Sequence, residues 1–180
     1  MINHSHIALL ASYNAWMNIK LFEAASKLSA QELAQDRNAF FGSILGTLNH
    51  LIVADTIWLK RFATQPSALA ALDPIRGLPI LSSLDAMPFE DLTAWFGHRQ
   101  ILDSVIRGWT AELSEADLNH VLHYANTKGV AFKRRVGDLL LHFFNHQTHH
   151  RGQITTLLSQ AGIDVGVTDL LMLVADESMA

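Results

Sequence analysis

The chain has 180 residues, 49% of them hydrophobic, with four prolines, no cysteine and a formal net charge of −4. Such a chain is globular and long enough to bury a sizeable core as a single domain over residues 1–180. The missing cysteine excludes disulfides, thiolate metal ligands and a cysteine nucleophile, and the negative balance offers no general attraction to nucleic acid. No run of about 18 apolar residues suggests a membrane span. The opening Met1-Ile2-Asn3-His4-Ser5-His6 lacks the basic start and apolar core of a signal peptide, so a cytoplasmic protein is expected.

Helical spacing of Ile7, Leu10, Ala11, Asn14, Met17 and Leu21 predicts a first long helix from Asn3 or Ser5 to Leu28. Ser29-Ala30-Gln31-Glu32 has the form of a capping box opening a short turn, and Asp36 to Gly42 breaks the pattern. Ser43 is a plausible cap for a second long helix running to Ala63, with His50 set among Ile44, Leu48, Leu51, Ile52, Leu59 and Phe62. Gln65 to Pro79 is irregular, broken by Pro66, Pro74, Gly77 and Pro79; a connection this long is either functional or crosses the length of a bundle. Pro88 suits the first position of a third helix, which Leu92, Trp95, Leu102, Val105, Ile106 and Trp109 carry to Leu113. Ser114 to Asp117 reads as another cap and short turn. Val121 to Arg135 fits two short strands around Asn126-Thr127-Lys128-Gly129. A fourth long helix runs from Val136 or Gly137 to a stop at Gly162, and Thr168 is placed to cap a last short helix, Asp169 to Ala175. Four long helices with one long crossover make an all-α helical bundle.

Four of the ten histidines, His142, His146, His149 and His150, fall in the fourth helix. At about 100° per residue, His146 and His150 lie about 40° apart on the face shared by Leu139, Phe143, Ile154 and Leu157. Two imidazoles on an apolar stripe are costly unless something inside uses their nitrogens, and H-x-x-x-H spacing lets both reach one metal ion. The motif is not that of the H-E-x-x-H proteases, because position 147 is Gln. A third ligand must come from elsewhere: His50 is the remote candidate, while Asp55 and Asp138 point less well. His142 and His149 flank the stripe and, with Tyr13 and Gln153, are candidates for orienting a substrate or handling a proton; Arg151 points away from the stripe. His4, His6, His98, His120 and His123 carry no expected metal role, and Lys133-Arg134-Arg135 reads as solvated surface.

Three stretches resemble the DinB/YfiT-like superfamily of bacterial helical-bundle metalloproteins. They are Tyr13-Asn14-Ala15-Trp16 near the start, Leu48-Asn49-His50-Leu51 through Asp55 and Trp58, and His146-Gln147-Thr148-His149-His150-Arg151-Gly152-Gln153. The resemblance covers essentially the whole chain. It implies an up-down-down-up four-helix bundle, one divalent metal on His50, His146 and His150, and a homodimer. Zinc and nickel rank first as the metal, ahead of iron and manganese, since imidazole suits several of these ions. Some members of the superfamily are transferases or isomerases that use a low-molecular-weight thiol. A branch that holds iron ends its motif in H-x-x-x-H-x-E, where this chain has Gly152. Two expectations follow: an enzyme whose metal activates a small thiol or water against a small-molecule substrate, or a non-catalytic metal-binding stress or interaction protein. Neither nucleic acid nor membrane is an expected partner.

Overall fold

The computed structural model describes residues 3–178 apart from positions 66, 68, 80, 82 and 177. Met1, Ile2 and the expected breaker Pro66 lie outside the described residues. The fold is mostly helical with one small sheet. Helix α1 spans His4–Ala25, with the Asn3 side chain accepting from the His6 N–H, and Ser26 to Leu28 form a turn rather than a further stretch of helix. Helix α2, Ala30–Ala34, starts in the expected capping box of Ser29 and Glu32. Helix α3, Ile44–Phe62, is capped by Ser43 and is buried nearly all round, its polar Thr47, Asn49, His50, Asp55 and Thr56 along with its apolar residues.

The long connection is not structureless. It folds into a 3-10 turn at Ala70–Leu72 and helix α4, Asp73–Arg76, where Pro74 sits in the first turn and needs no N–H partner. Lys60 ties this segment down by donating to the carbonyls of Ile75, Arg76 and Leu78. Helix α5, Leu92–Glu112, begins four residues beyond Pro88. Asp91, not the proline, sets the start, its carboxylate accepting from the Ala94 N–H at 2.7 Å. Phe89 is held outside the helix because Asn49 both accepts from its N–H and donates to its carbonyl.

Helix α6, Glu115–Asn119, has a capping box of Ser114 and Asp117. Strands β1, Val121–Ala125, and β2, Ala131–Arg135, pair antiparallel with His123 opposite Lys133. Helix α7, Val136–Gln160, follows directly. It ends where expected: Gly162 takes φ of 79°, and the Ile163 and Gly162 N–H groups return to Leu158 O and Ser159 O. Near the C-terminus a 3-10 turn, Leu170–Leu173, replaces the expected helix, and Thr168 does not cap it. The Thr168 carbonyl instead accepts from the Tyr13 hydroxyl at 2.6 Å.

Helix α1 packs on α5 and α7, and α3 packs on the same two. Trp95, Trp109, Phe62 and Phe143 fill the interior, and the Trp95 indole N–H is satisfied by Leu48 O. Across this apolar core runs a buried polar girdle drawing on all four long helices. Arg99 of α5 contacts Asp55 of α3 at 2.6 Å and Asp103 at 3.0 Å. Asn14 and Asn18 of α1 donate to Asp103, Gln147 of α7 donates to Asp55, and Arg151 of α7 donates to Asn14. Burial opposes the charge on Arg99, but Asp103 and Asp55 outweigh it and hold the guanidinium above its usual range. A buried ionic set of this kind is weak evidence of net stability, but removing one partner leaves an uncompensated charge in the interior.

Candidate metal centre

His50 on α3 and His146 and His150 on α7 face one another across the α3–α7 seam. Their Nε2 atoms are 3.4 Å apart between His50 and His146, and 3.1 Å apart between His150 and His146. Among the described residues these three offer ligand atoms all within 4.8 Å of one another. Nitrogens bound to one ion at about 2.05 Å sit about 3.3 Å apart in a tetrahedral set, so this convergence has the right scale.

The proton positions decide what the three nitrogens can be. His50 Nδ1 lies 2.8 Å from Leu84 O, and a carbonyl only accepts, so Nδ1 carries the hydrogen and Nε2 presents a lone pair. His150 Nδ1 likewise donates to Gln153 Oε1 at 2.8 Å, while Gln153 Nε2 donates to His149. Two bare lone pairs therefore point at His146 Nε2, which carries at most one hydrogen. The set is short of protons and suited to a cation. It matches the usual device by which a ligating imidazole is oriented through its other nitrogen. Burial, then the neighbouring imidazoles, push His146 down to about 3. Burial above all, with His150 adding to it, takes His50 to about 4, and burial lowers His150 despite its bond to Gln153. All three are neutral at pH 7, the state a metal ligand requires.

Two contacts that the sequence did not announce complete the centre. Phe41 stacks on the His50 ring at 3.8 Å and meets His150 edge-on at 5.5 Å, covering one side of both. The loop carrying Phe41 can come this close because position 46 is glycine: a Cβ there would lie 2.1 Å from Phe41 O. The second contact, Leu84 O on His50, comes from the segment before α5. A main-chain carbonyl leaves no mark in residue identity.

The other candidates are distributed unevenly. Gln153 supports His150, and exposed His149 is joined to Gln153 and lies 4.9 Å from the His150 ring. Exposed His142 is 5.9 Å from the His146 ring and packs against Trp58 at 5.1 Å. Tyr13 has no hydrogen bond or ring contact with the three imidazoles among the described residues; it holds Thr168 and lies under the Arg151 guanidinium at 5.3 Å. Asp55, an alternative ligand on sequence grounds, is committed to Arg99 and Gln147. No described helix is long and apolar enough to cross a membrane.

No solved structure matches the chain. It is 31% identical over 162 residues to Protein DinB of Bacillus subtilis (strain 168), covering 89% of this chain and 88% of that protein. The model of the DinB family matches residues 1–177, and the chain belongs to the DinB family.

Proposed function

We propose that this chain is a divalent-metal-dependent enzyme of the DinB family that activates a small thiol or water at a three-histidine centre. One observation carries the reading: three Nε2 atoms converge while Leu84 O and Gln153 Oε1 claim the opposite nitrogens of two rings. His50, His146 and His150 would hold the ion, with zinc or nickel first and iron or manganese behind. When bound, a divalent ion with three neutral imidazoles supplies Lewis acidity that lowers the pKa of a thiol or water nearby.

The chain's own groups then have distinct work. Leu84 O and Gln153 Oε1 fix ring orientation, and Phe41 keeps water from one side of His50 and His150. His149 and His142 stand at the exposed flank, where either imidazole can take the proton released by an incoming nucleophile. Tyr13 is assigned to holding the C-terminal segment. The surrounding architecture we read as an up-down-down-up four-helix bundle. Phe22 stacks on Phe96 while Asn14 and Asn18 reach Asp103, so α1 opposes α5; Trp95 meets Leu48 and Arg99 meets Asp55, so α5 runs with α3. Contacts from Trp58 to His142 and from His50 to His150 set α7 against α3. We place the protein in the cytoplasm as a homodimer.

The test is element analysis of protein purified without a nickel column, on the wild type and on His146→Ala. About one ion per chain that is lost in the variant supports the reading, and equal occupancy in both overturns the triad. Cobalt-loaded protein titrated with a small thiol then separates enzyme from structural ion. A thiol-dependent spectral change indicates an open position. Its absence, with loss of stability on chelation, favours a non-catalytic metal-binding protein.

A further inference from the structure

Beside the metal centre lies a cavity of about 850 Å³ between α3, the segment after Leu78 and the β1–β2 hairpin. That is the size of a pocket for a small organic molecule. Its apolar walls include Ile57, Pro79, Leu81, Leu84 and Tyr124, and its described lining contains no aspartate or glutamate. Two cations line it, and they differ. Lys60 is turned onto three main-chain carbonyls. Arg61 makes no ion pair among the described residues; it is half-buried, its guanidinium 4.6 Å from the Trp58 ring and 5.2 Å from the Tyr124 ring. The two rings are themselves neighbours, 5.4 Å apart, so they support the guanidinium together and leave N–H edges free to donate.

A partly desolvated guanidinium with no counter-charge among the described residues, in a cavity that combines those apolar walls with the uncharged side chains of Thr64, Ser83, Asn126 and Thr127, is an incomplete set. An anionic group with an apolar body completes it. We propose that this cavity binds a small carboxylate, its carboxyl on Arg61 and its apolar body along Ile57, Leu81 and Tyr124. The site adjoins the metal centre twice over: Leu84 lines the cavity and its carbonyl holds His50, and Trp58 under Arg61 also packs against His142. As the class of substrate or cosubstrate for that centre, the carboxylate rests on the metal reading above; as a binding site, it stands without it.

The probes are 4-phenylbutyrate and its uncharged counterpart 4-phenylbutanol, titrated by calorimetry into the full chain. Wild type, Arg61→Gln, Arg61→Lys and His146→Ala are compared. Wild type is expected to prefer the carboxylate, and Arg61→Gln to lose about tenfold or more in carboxylate binding while keeping the alcohol, which also shows the pocket intact. Arg61→Lys should recover part of the loss. Equal binding of the two probes by wild type, no binding of either, or undiminished carboxylate binding by Arg61→Gln overturns the site. His146→Ala separates the two claims. Carboxylate binding that persists there while wild type carries no metal would sink the metal reading and leave the cavity assignment standing.

Discussion

Replacing Arg99 by Met removes the charge and keeps most of the stem volume. Arg99 is fully buried, and its neighbours Asp55 and Asp103 are 1% and 7% exposed. After the change Asp103 keeps the amides of Asn14 and Asn18, whereas Asp55 keeps Gln147 as its remaining donor. Breaking a buried ionic set from one side costs about 3–5 kcal/mol, because the remaining charge stays in the interior. In a chain of this length that lowers the melting temperature by roughly 6–20 °C. Urea unfolding and thermal melts at pH 7 measure the loss. Burial already pushes the Asp55 carboxyl up against the pull of Arg99, and in the variant that pull is gone. The native state then binds a proton that the unfolded state releases, so the variant's deficit should shrink as pH falls from 7 to 5. A loss under about 1 kcal/mol would refute the assignment of an uncompensated charge. A deficit unchanged between the two pH values would assign the loss to packing.

Gln153→Leu removes the acceptor that orients His150, and metal affinity in a chelator competition should fall about 10- to 100-fold; equal affinities would deny Gln153 that role. Metal-free protein should lose stability in mild acid. His50 and His146 are held at about 4 and about 3 in the native state, whereas unfolded histidine titrates near 6.5. Stability is therefore full above about pH 6.5 and declines as pH drops toward the native values. A melting temperature flat from pH 7 to pH 5 contradicts this. Tyr13→Phe removes one hydrogen bond to Thr168 and should cost about 1 kcal/mol without changing metal content; a variant that keeps its stability but loses turnover would return Tyr13 to catalysis.

Features decided within a few residues are legible in the amino-acid sequence. Ser29, Ser43 and Ser114 each precede a helix and need only their own next turn to act as caps. Gly162 stops α7 by adopting a positive φ. The four-residue spacing of His146 and His150 needs no more than helical geometry. Sequence and fold part where two local signals compete: Pro88 and Asp91 are both good helix starters, and a carboxylate aimed at the Ala94 N–H prevails. Distant pairing leaves no local trace. Asp55 has the look of a ligand because nothing in its neighbourhood reveals Arg99, 44 positions later. Arg61 reads as an ordinary basic residue in the last turn of a helix, and only the return of the hairpin places Tyr124 beside it.

Gly46 has no part in chemistry, yet it governs from which direction the centre can be reached. An alanine there would meet the Phe41 carbonyl and push the loop outward, lifting the ring from His50 while leaving the three candidate ligand nitrogens in place. Such a change acts on access rather than affinity: the centre would gain a second entrance for water. Under the function proposed above, the choice between a thiol and water would then be governed four residues upstream of His50, by a side chain that is absent.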